Sequence, residues 1–316
     1  MTGGAGETGG LRVAIVTDFP GWHGPRLRRA FRARRVETQF VSLRRCRIDL
    51  ARGCHVFIPG FERRLPDGVF VRGVPGGTLE QVVLRLDMLH ALRELGIPVC
   101  NDARAIERTV DKGMTSLLLA RAGLPTPPTV VTESPARARA FLLRETAAGH
   151  AVVVKPLFGS QGVGVRRLEA GSDIPDAAEC NGVWYLQRYV ETRVRGRRPG
   201  WHDWRVFVIA GEAVAAMVRH GVTWVNNVAR GGRCEAVPLD AELVRLAEGA
   251  CAAVGADYGG VDLVRGADGG TQVLEVNGIP AWKGLQSVAQ LDIADRLVDD
   301  FVSRRLARPA AAARTG

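Results

Sequence analysis

Apolar and polar positions alternate along this chain with two periods, and the balance between them changes near residue 128. Leu11–Thr17 is a short apolar run closed by Asp18 and a Gly/Pro turn, which reads as a buried strand. An Arg-rich helix near 25–35 and a second short strand at His55–Pro59 follow, and this alternation predicts a small α/β domain. Thr78-x-x-Gln81 has the spacing of a capping box. From it runs a helix with Leu79, Val82, Val83, Leu86, Leu89 and Leu92 expected on one side, ending at Gly96. Asp102 is placed to cap another helix reaching Ala122. Leu124–Pro128 is rich in proline, cannot be helical, and reads as a linker.

Beyond the linker the pattern is mostly of strands. Ala151–Lys155 is an apolar strand, Gly159–Gly164 a glycine-rich loop, and Val165–Leu168 extended again. Trp184–Val190 reads as a strand, and Trp204–Ala210 and Ala213–Arg219 as a hairpin about Gly211-Glu212. An amphipathic helix over Leu239–Val254 precedes a last hairpin, Gly260–Val264 with Thr271–Val276 about Asp268-Gly269. A helix from about Ser287 to Leu306 closes the fold. The expected organisation is a flexible start (1–10), an α/β domain (11–100), a larger α/β (α+β) domain (101–306, with parts 101–184 and 185–306) and a flexible tail (307–316).

Composition narrows this only a little. The chain has 316 residues, long enough for about two domains. No apolar run approaches the roughly 20 residues of a spanning helix, and the first ten residues lack a basic start with a long apolar stretch, so a cytoplasmic protein without membrane contact is expected. The six cysteines form no C-x-x-C pair and read as free thiols. The net charge of +10 is spread along the chain without interleaved aromatics, which suits a solvated face better than a nucleic-acid groove. Only Lys112, Lys155 and Lys283 among the 43 basic residues are lysines, so a lysine retained against that bias marks a place suited to a compact ammonium.

Four groups of residues carry chemistry. In the last hairpin, a turn centred on Asp268-Gly269 pairs Asp262 directly with Glu275, and Asn277 projects from the same face. Two carboxylates held that close repel, and a hard divalent cation with oxygen ligands resolves the conflict. Lys155 ends a strand and is followed by Gly159, Ser160, Gln161, Gly162 and Gly164, a loop whose backbone amides can close around phosphate. Its spacing fits neither a Walker A motif nor a dinucleotide fingerprint. Lys112, after Asp111, precedes the linker. Arg205 and Arg219, expected near each other across their hairpin, and Asn226-Asn227 with Arg230-Gly-Gly suggest an anion site.

In that order, with Leu-Gln187-Arg-Tyr189-Val and Asp203-x-Arg205 between, these residues resemble the ATP-grasp superfamily, and specifically the RimK-like α-L-glutamate ligases. The resemblance covers about Cys100 to Leu306, and the first domain resembles the small domain that precedes the grasp. It implies an ATP-grasp fold with that N-terminal domain, and roles for particular residues. Lys112 and Lys155 would contact ATP, and Gly159–Gly164 would cover its phosphates. Gln187, Arg188, Tyr189 and Val190 would line the adenine pocket, Asp203 would hold the ribose, and Asn226 and Asn227 would reach the phosphates. Asp262, Glu275 and Asn277 would hold Mg²⁺, with Mn²⁺ as an alternative ion, and Arg219 and Arg230 would act on the reacting carboxylate. Arg72 and Arg205 are further candidates for substrate contact. The sequence departs from the ribosomal-protein-modifying members at Arg188, where those have Glu, and at Val225, where they have Arg.

The activity implied is an ADP-forming ligase joining a carboxylate to an amine through an acyl phosphate. The amine would be that of L-glutamate, and the acceptor a pterin-like cofactor precursor or a protein. A different ATP-grasp ligation, of the glutathione-synthetase or lysine-biosynthesis type, and a non-catalytic nucleotide- or RNA-binding protein are the alternatives. A homo-oligomer is compatible with either kind of ligase.

Overall fold

Short apolar runs punctuated by Gly and Pro build the first part of the chain into β1 (Arg12–Val16), α1 (His23–Ala33), β2 (Glu37–Val41), β3 (Arg47–Asp49), β4 (His55–Phe57), β5 (Gly68–Val71), α2 (Leu79–Glu94) and β6 (Val99–Cys100). The computed structural model describes residues 10–51, 55–159, 162–194, 200–221, 223–225, 231–266 and 269–306. By its internal contacts the chain divides into two units, Met1–Ala103 with Asp292–Gly316, and Arg104–Leu291.

In the first unit β2-β1-β5-β6 form a parallel sheet, and β3 and β4 pair as a separate ribbon. β1 and β5 are buried on both faces, as parallel strands are. The capping box of α2 is present: Gln81 N–H donates to the Thr78 hydroxyl, and Thr78 N–H to the Gln81 side chain. The buried side of α2 differs from the one expected. It consists of Arg85, Met88, Leu89 and Leu92, while Leu79 (76% exposed), Val83 and Leu84 face outward. Arg85 explains the rotation, because its guanidinium donates to the carbonyls of Pro75 and Gly76 and is buried in doing so.

The second unit contains α3 (Ala103–Val110, beginning at the boundary), α4 (Lys112–Arg121), β7 (Thr129–Thr132), α5 (Pro135–Ala147), β8 (Val152–Lys155), β9 (Arg166–Leu168), β10 (Trp184–Arg188), β11 (Arg193–Val194), β12 (Gly200–Ile209), β13 (Glu212–Gly221), β14 (Arg233–Ala236), α6 (Ala241–Val254), β15 (Tyr258–Arg265), β16 (Thr271–Asn277) and α7 (Lys283–Gln286). The single helix expected from Asp102 to Ala122 is two. Asp111 breaks it, accepting from Met114 N–H as the cap of α4. α5 was not expected from the strand-like pattern around it, although Ser134 as cap and Pro135 in the first turn announce it.

Two antiparallel sheets organise this unit. The smaller has the order β7-β10-β8-β9, and the larger β14-β13-β12-β15-β16, with β11 beside β12. On one face of the smaller sheet Val152, Val154, Trp184 and Leu186 pack on Ala138, Phe141 and Leu142 of α5. On one face of the larger, Val206, Val208, Val261, Leu263, Val273 and Val276 pack on Leu243, Leu246, Ala247 and Ala250 of α6. Side-chain alternation sends the opposite faces elsewhere, and those carry the polar residues. Gly259 belongs to the packing: a Cβ there would stand 2.9 Å from Cys251 Sγ of α6.

The closing helix expected over Ser287–Leu306 is interrupted. After α7 the chain forms α8 (Ile293–Asp300) and a wider helical turn over Phe301–Leu306. Expected in the second domain, α8 instead packs in the first unit. Arg34, just after α1, donates to Asp295 at 2.7 Å, and Phe301 forms an edge-to-face trio with Phe31 and Phe70. The five described cysteines are free thiols. No helix among the described residues is long and apolar enough to cross a membrane.

The two sides of α2 are separable by stability. Leu89→Ala is expected to lower unfolding free energy by about 2–5 kcal/mol, and Leu79→Ala to change it by less than about 0.5 kcal/mol, both read from urea denaturation.

Candidate active site

The polar faces of the two sheets in the second unit supply the site residues. On the larger sheet, Arg205, Asp262 and Glu275 stand in one row across β12, β15 and β16. The expected pairing of Asp262 with Glu275 is present. Its route differs slightly: near the turn the register is one residue short, and an irregularity between Asp262 and Leu263 restores it. Asn277 lies on the same face, its amide donating to Glu275 Oε1 (3.2 Å) and to the Gly260 carbonyl (3.3 Å).

The arginines stand near each other, as expected, both reaching Asp262, but their guanidiniums are held by carboxylates of the chain itself. An irregularity between Phe207 and Val208 shifts the β12–β13 register, so that Arg219 stands opposite Asp203 and Arg205 opposite Met217. Arg205 grips Asp262 through both oxygens, with Nε at 2.7 Å and a terminal nitrogen at 2.6 Å. Arg219 grips Asp203 in the same way (2.7 and 2.8 Å) and also reaches Asp262 at 3.1 Å. Asp203, Arg219 and Asp262 are buried, so each charge needs its partner. Burial works against ionising Asp262, but the guanidiniums of Arg205 and Arg219 outweigh it and hold this carboxyl below the usual range. Asp203 moves the other way: burial pushes it up, against Arg219, and the neighbouring Asp262 adds to the rise. Gly260, opposite Phe207 on β12, makes room for Pro280, since a Cβ there would lie 3.0 Å from Pro280 Cβ.

On the smaller sheet Lys155, half-buried, donates to Gln187 Oε1 at 2.8 Å. The Gln187 amide in turn donates to the hydroxyls of Tyr185 and Thr129, both at 3.0 Å, and Tyr185 Oη and Ser116 Oγ of α4 share a hydrogen bond of 2.9 Å. This chain orients the Lys155 ammonium. Burial lowers the lysine's pKa, opposed by the Glu275 carboxylate, and Lys112 lowers it further. Lys112 opens α4 and donates to the Gly159 carbonyl at 2.8 Å, tying the helix to the start of the glycine loop. Burial lowers its pKa too, again against Glu275. Gly164 has φ of +72°, and a Cβ there would meet Pro156 Cγ at 2.9 Å, so the loop closes only with glycine.

Lys112, Lys155, Glu275 and Asp262 are therefore brought together, and Gln187 with them. Arg188 is not. Its side chain leaves the opposite face of β10 and pairs with Glu145 of α5 at 2.7 Å, so its side chain is a packing partner of α5. Tyr189 has the Arg167 guanidinium 4.2 Å from its ring centre and Trp224 edge-on at 5.9 Å; Val190 follows it. Ser160, Gln161, Asn226, Asn227 and Arg230 lie outside the described residues. Arg72 lies in the first unit, after β5. Tyr185, Ser116 and Thr129 were not singled out from sequence. Their signals were spacing: Tyr185 is two residues before Gln187 on a strand, and Ser116 four after Lys112 on a helix.

Asp262, Glu275 and Asn277 offer oxygen donors alone, in a row with two adjacent carboxylates, and this set fits a hard divalent ion. Among the described residues no group of three or more His, Cys, Asp or Glu converges, so the third ligand of such a set would be the Asn277 amide oxygen.

Residues 109–301 match the model of the RimK-like ATP-grasp domain. The tetrahydromethanopterin:α-L-glutamate ligase of Methanosarcina acetivorans is 33% identical over 266 residues, covering 74% of this chain and 79% of that protein. The enzyme of the same name from Methanocaldococcus jannaschii is 38% identical over 226 residues, covering 69% and 74%. Among solved structures, the ATP-grasp ligase PsnB with minimal precursor, Mg and ADP superposes with a TM-score of 0.69 at 24% identity, covering 94% of this chain and 98% of that one, a likeness of fold.

The Arg188–Glu145 pair gives a pH signature. The two guanidiniums of Arg188 and Arg144 overcome burial and hold the Glu145 carboxyl below its usual value. A depressed carboxyl contributes stability above its unfolded pKa of about 4.3, and loses it as pH falls through the folded value. Glu145→Gln should therefore destabilise at pH 7, and its deficit against the parent should shrink below about pH 4, as measured by urea midpoints across pH 3–8.

Proposed function

The chain belongs to the RimK-like ATP-grasp family and is an ATP-dependent ligase, and from that premise we propose that it joins L-glutamate to a carboxylate of a pterin-like acceptor. The observation that carries the chemical step is the row Arg205–Asp262–Glu275 facing Lys155 and Lys112. The names of the relatives support glutamate and a pterin as substrates. Other ATP-grasp ligations share the fold and differ in what the acceptor side of the site receives.

Asp262, Glu275 and Asn277 would hold Mg²⁺, and Mn²⁺, which also takes oxygen ligands, would serve there. When bound, the ion supplies neutralisation of the nucleotide's phosphate oxygens. The rest falls to the chain's own groups. Lys155, oriented by Gln187, and Lys112 place ammonium charge at the phosphates, and the amides of the glycine loop from Gly159 through Ser160, Gln161 and Gly162 to Gly164 close over them. The acceptor carboxylate takes the terminal phosphoryl group, releasing ADP, and the glutamate amine then displaces phosphate to leave the amide. Arg219 and Arg230 act on the reacting carboxylate and stabilise the oxyanion formed in that attack, and Arg205 is a candidate for substrate contact. Asn226 and Asn227 are proposed to reach the phosphates, and Gln187 to Val190 to present backbone to the adenine. Asp203 contributes through Arg219, which it orients.

Glu275→Gln, with one carboxylate oxygen replaced by an amide nitrogen, should raise the Mg²⁺ concentration needed for half-maximal ADP formation at least about tenfold and lower kcat at least about a hundredfold, with an unchanged unfolding midpoint. ADP formation that keeps the parent's Mg²⁺ dependence would overturn the metal assignment.

A further inference from the structure

The hydrogen bonds that lead away from Lys155 have a fixed direction. A lysine ammonium only donates, so Gln187 turns its oxygen toward Lys155 Nζ at 2.8 Å, and its amide nitrogen faces the hydroxyls of Thr129 and Tyr185, both at 3.0 Å. Thr129 donates its own proton to the Pro127 carbonyl at 2.8 Å. Tyr185 Oη accepts from Gln187, so its proton goes to Ser116 Oγ at 2.9 Å. Turning the Gln187 amide over would set donor against donor at Lys155. Tyr185, Ser116 and Gln187 are buried, where a hydrogen bond left unmade is costly.

The same bonds join a helix to a sheet. Ser116 stands one turn after Lys112 on α4, so both project from one side of the helix. Lys112 ties the first turn of α4 to the residues following β8, donating from its ammonium to the Gly159 carbonyl at 2.8 Å and from its backbone N–H to the Leu157 carbonyl at 3.4 Å. Ser116 ties the next turn to β10 through Tyr185, which stands directly opposite Lys155 across the β8–β10 pair. A closed circuit results, running from Lys112 through Gly159 to Lys155 on β8, on to Gln187 and Tyr185 of β10, and back through Ser116 along α4. The Tyr185 ring adds to it, its centre 5.7 Å from Lys155 Nζ. The circuit opens if the Tyr185–Ser116 bond is lost.

We propose that the Tyr185–Ser116 bond fixes the spacing of the two ammonium groups, so that Tyr185 and Ser116 are positioning residues for the phosphates of the nucleotide. The inference rests on the reading in which Lys112 and Lys155 meet those phosphates, and deepens it by assigning what holds the pair in register. Cationic side chains act on a phosphoryl group by placement, so a small displacement of either ammonium forfeits much of the interaction. Tyr185 and Ser116 act through the lysines.

Tyr185→Phe keeps the buried ring and removes only the hydroxyl, and Ser116→Ala removes the other end of the same bond. Binding of ATP·Mg²⁺ to the full chain is measured by calorimetry for the parent, each single variant and the double variant, beside urea midpoints and NMR of lysine labelled with ¹⁵N at Nζ. The chain has only three lysines, so each ammonium signal is resolved, and Lys283, outside the circuit, serves as the reference. Each single variant is expected to weaken ATP·Mg²⁺ binding by roughly tenfold and to move the Lys155 signal while that of Lys283 stays in place. The double variant is expected to lose no more than either single one, because both act through one bond. Losses that add in the double variant would overturn the shared bond. Parent-like ATP·Mg²⁺ affinity in both single variants would overturn the positioning role, and so would weakened binding with a lowered urea midpoint and an unmoved Lys155 signal, which marks a purely structural role. Ser116→Ala carries the test by itself should Tyr185→Phe not fold. Failure of the parent to bind ATP·Mg²⁺ would instead overturn the reading on which the proposal rests.

Discussion

Everything in the second unit is arranged around one electrostatic problem, a pair of carboxylates on adjacent strands with Asp262 buried. Asp262 and Glu275 stand opposite each other, and like charges in that position destabilise a sheet unless something compensates. The compensation is built from both directions. Arg205 and Arg219 neutralise Asp262 from β12 and β13, and Lys112 and Lys155 approach Glu275 from α4 and β8. The packing behind the sheet is what allows the front to be polar. α6, with Leu119 of α4, covers the apolar face, so the strands can devote alternate residues to charge without losing the core.

Asp262, which with Glu275 and Asn277 would hold the metal ion and its phosphate-neutralising charge on the proposed reading, is gripped by Arg205 through both oxygens. Arg219 remains anchored by Asp203 on its other side. The two arginines are therefore not equivalent: one is shared by two acids, the other committed to one. Gly260 matters for packing beside this cluster because a Cβ there would stand 3.0 Å from Pro280 Cβ, with the Arg205 stem at ordinary contact distance.

Much of this was legible in the sequence, and the exceptions have local causes. The Asp262–Glu275 pairing follows from period-2 alternation and a glycine turn, and survives a one-residue irregularity that alternation alone does not reveal. The same kind of irregularity at Phe207/Val208 shifts which residues stand opposite one another but leaves Arg205 and Arg219 together on Asp262; what alternation did not reveal is that Asp203 and Asp262 occupy their guanidiniums. Arg188 follows Gln187, which accepts from Lys155, but strand alternation sends its side chain to the other face, where Glu145 waits on a helix hidden among strand signals. On α2 the run of leucines and valines misled because Arg85 buries itself to bond the preceding loop and turns Leu79 outward. Tertiary demands of single polar groups, rather than weak propensities, account for each of these differences.

The central claim is that a carboxylate of the acceptor is phosphorylated by ATP before the amine attacks. The most direct measurement follows ¹⁸O placed in that carboxylate through a turnover with ATP, Mg²⁺ and L-glutamate, and reads the label in the nucleotide and phosphate products by mass spectrometry. Transfer of one ¹⁸O per amide formed into inorganic phosphate, with ADP as the nucleotide product, is predicted. Label appearing in AMP, with pyrophosphate released, would contradict the account by showing that the carboxylate is adenylated instead.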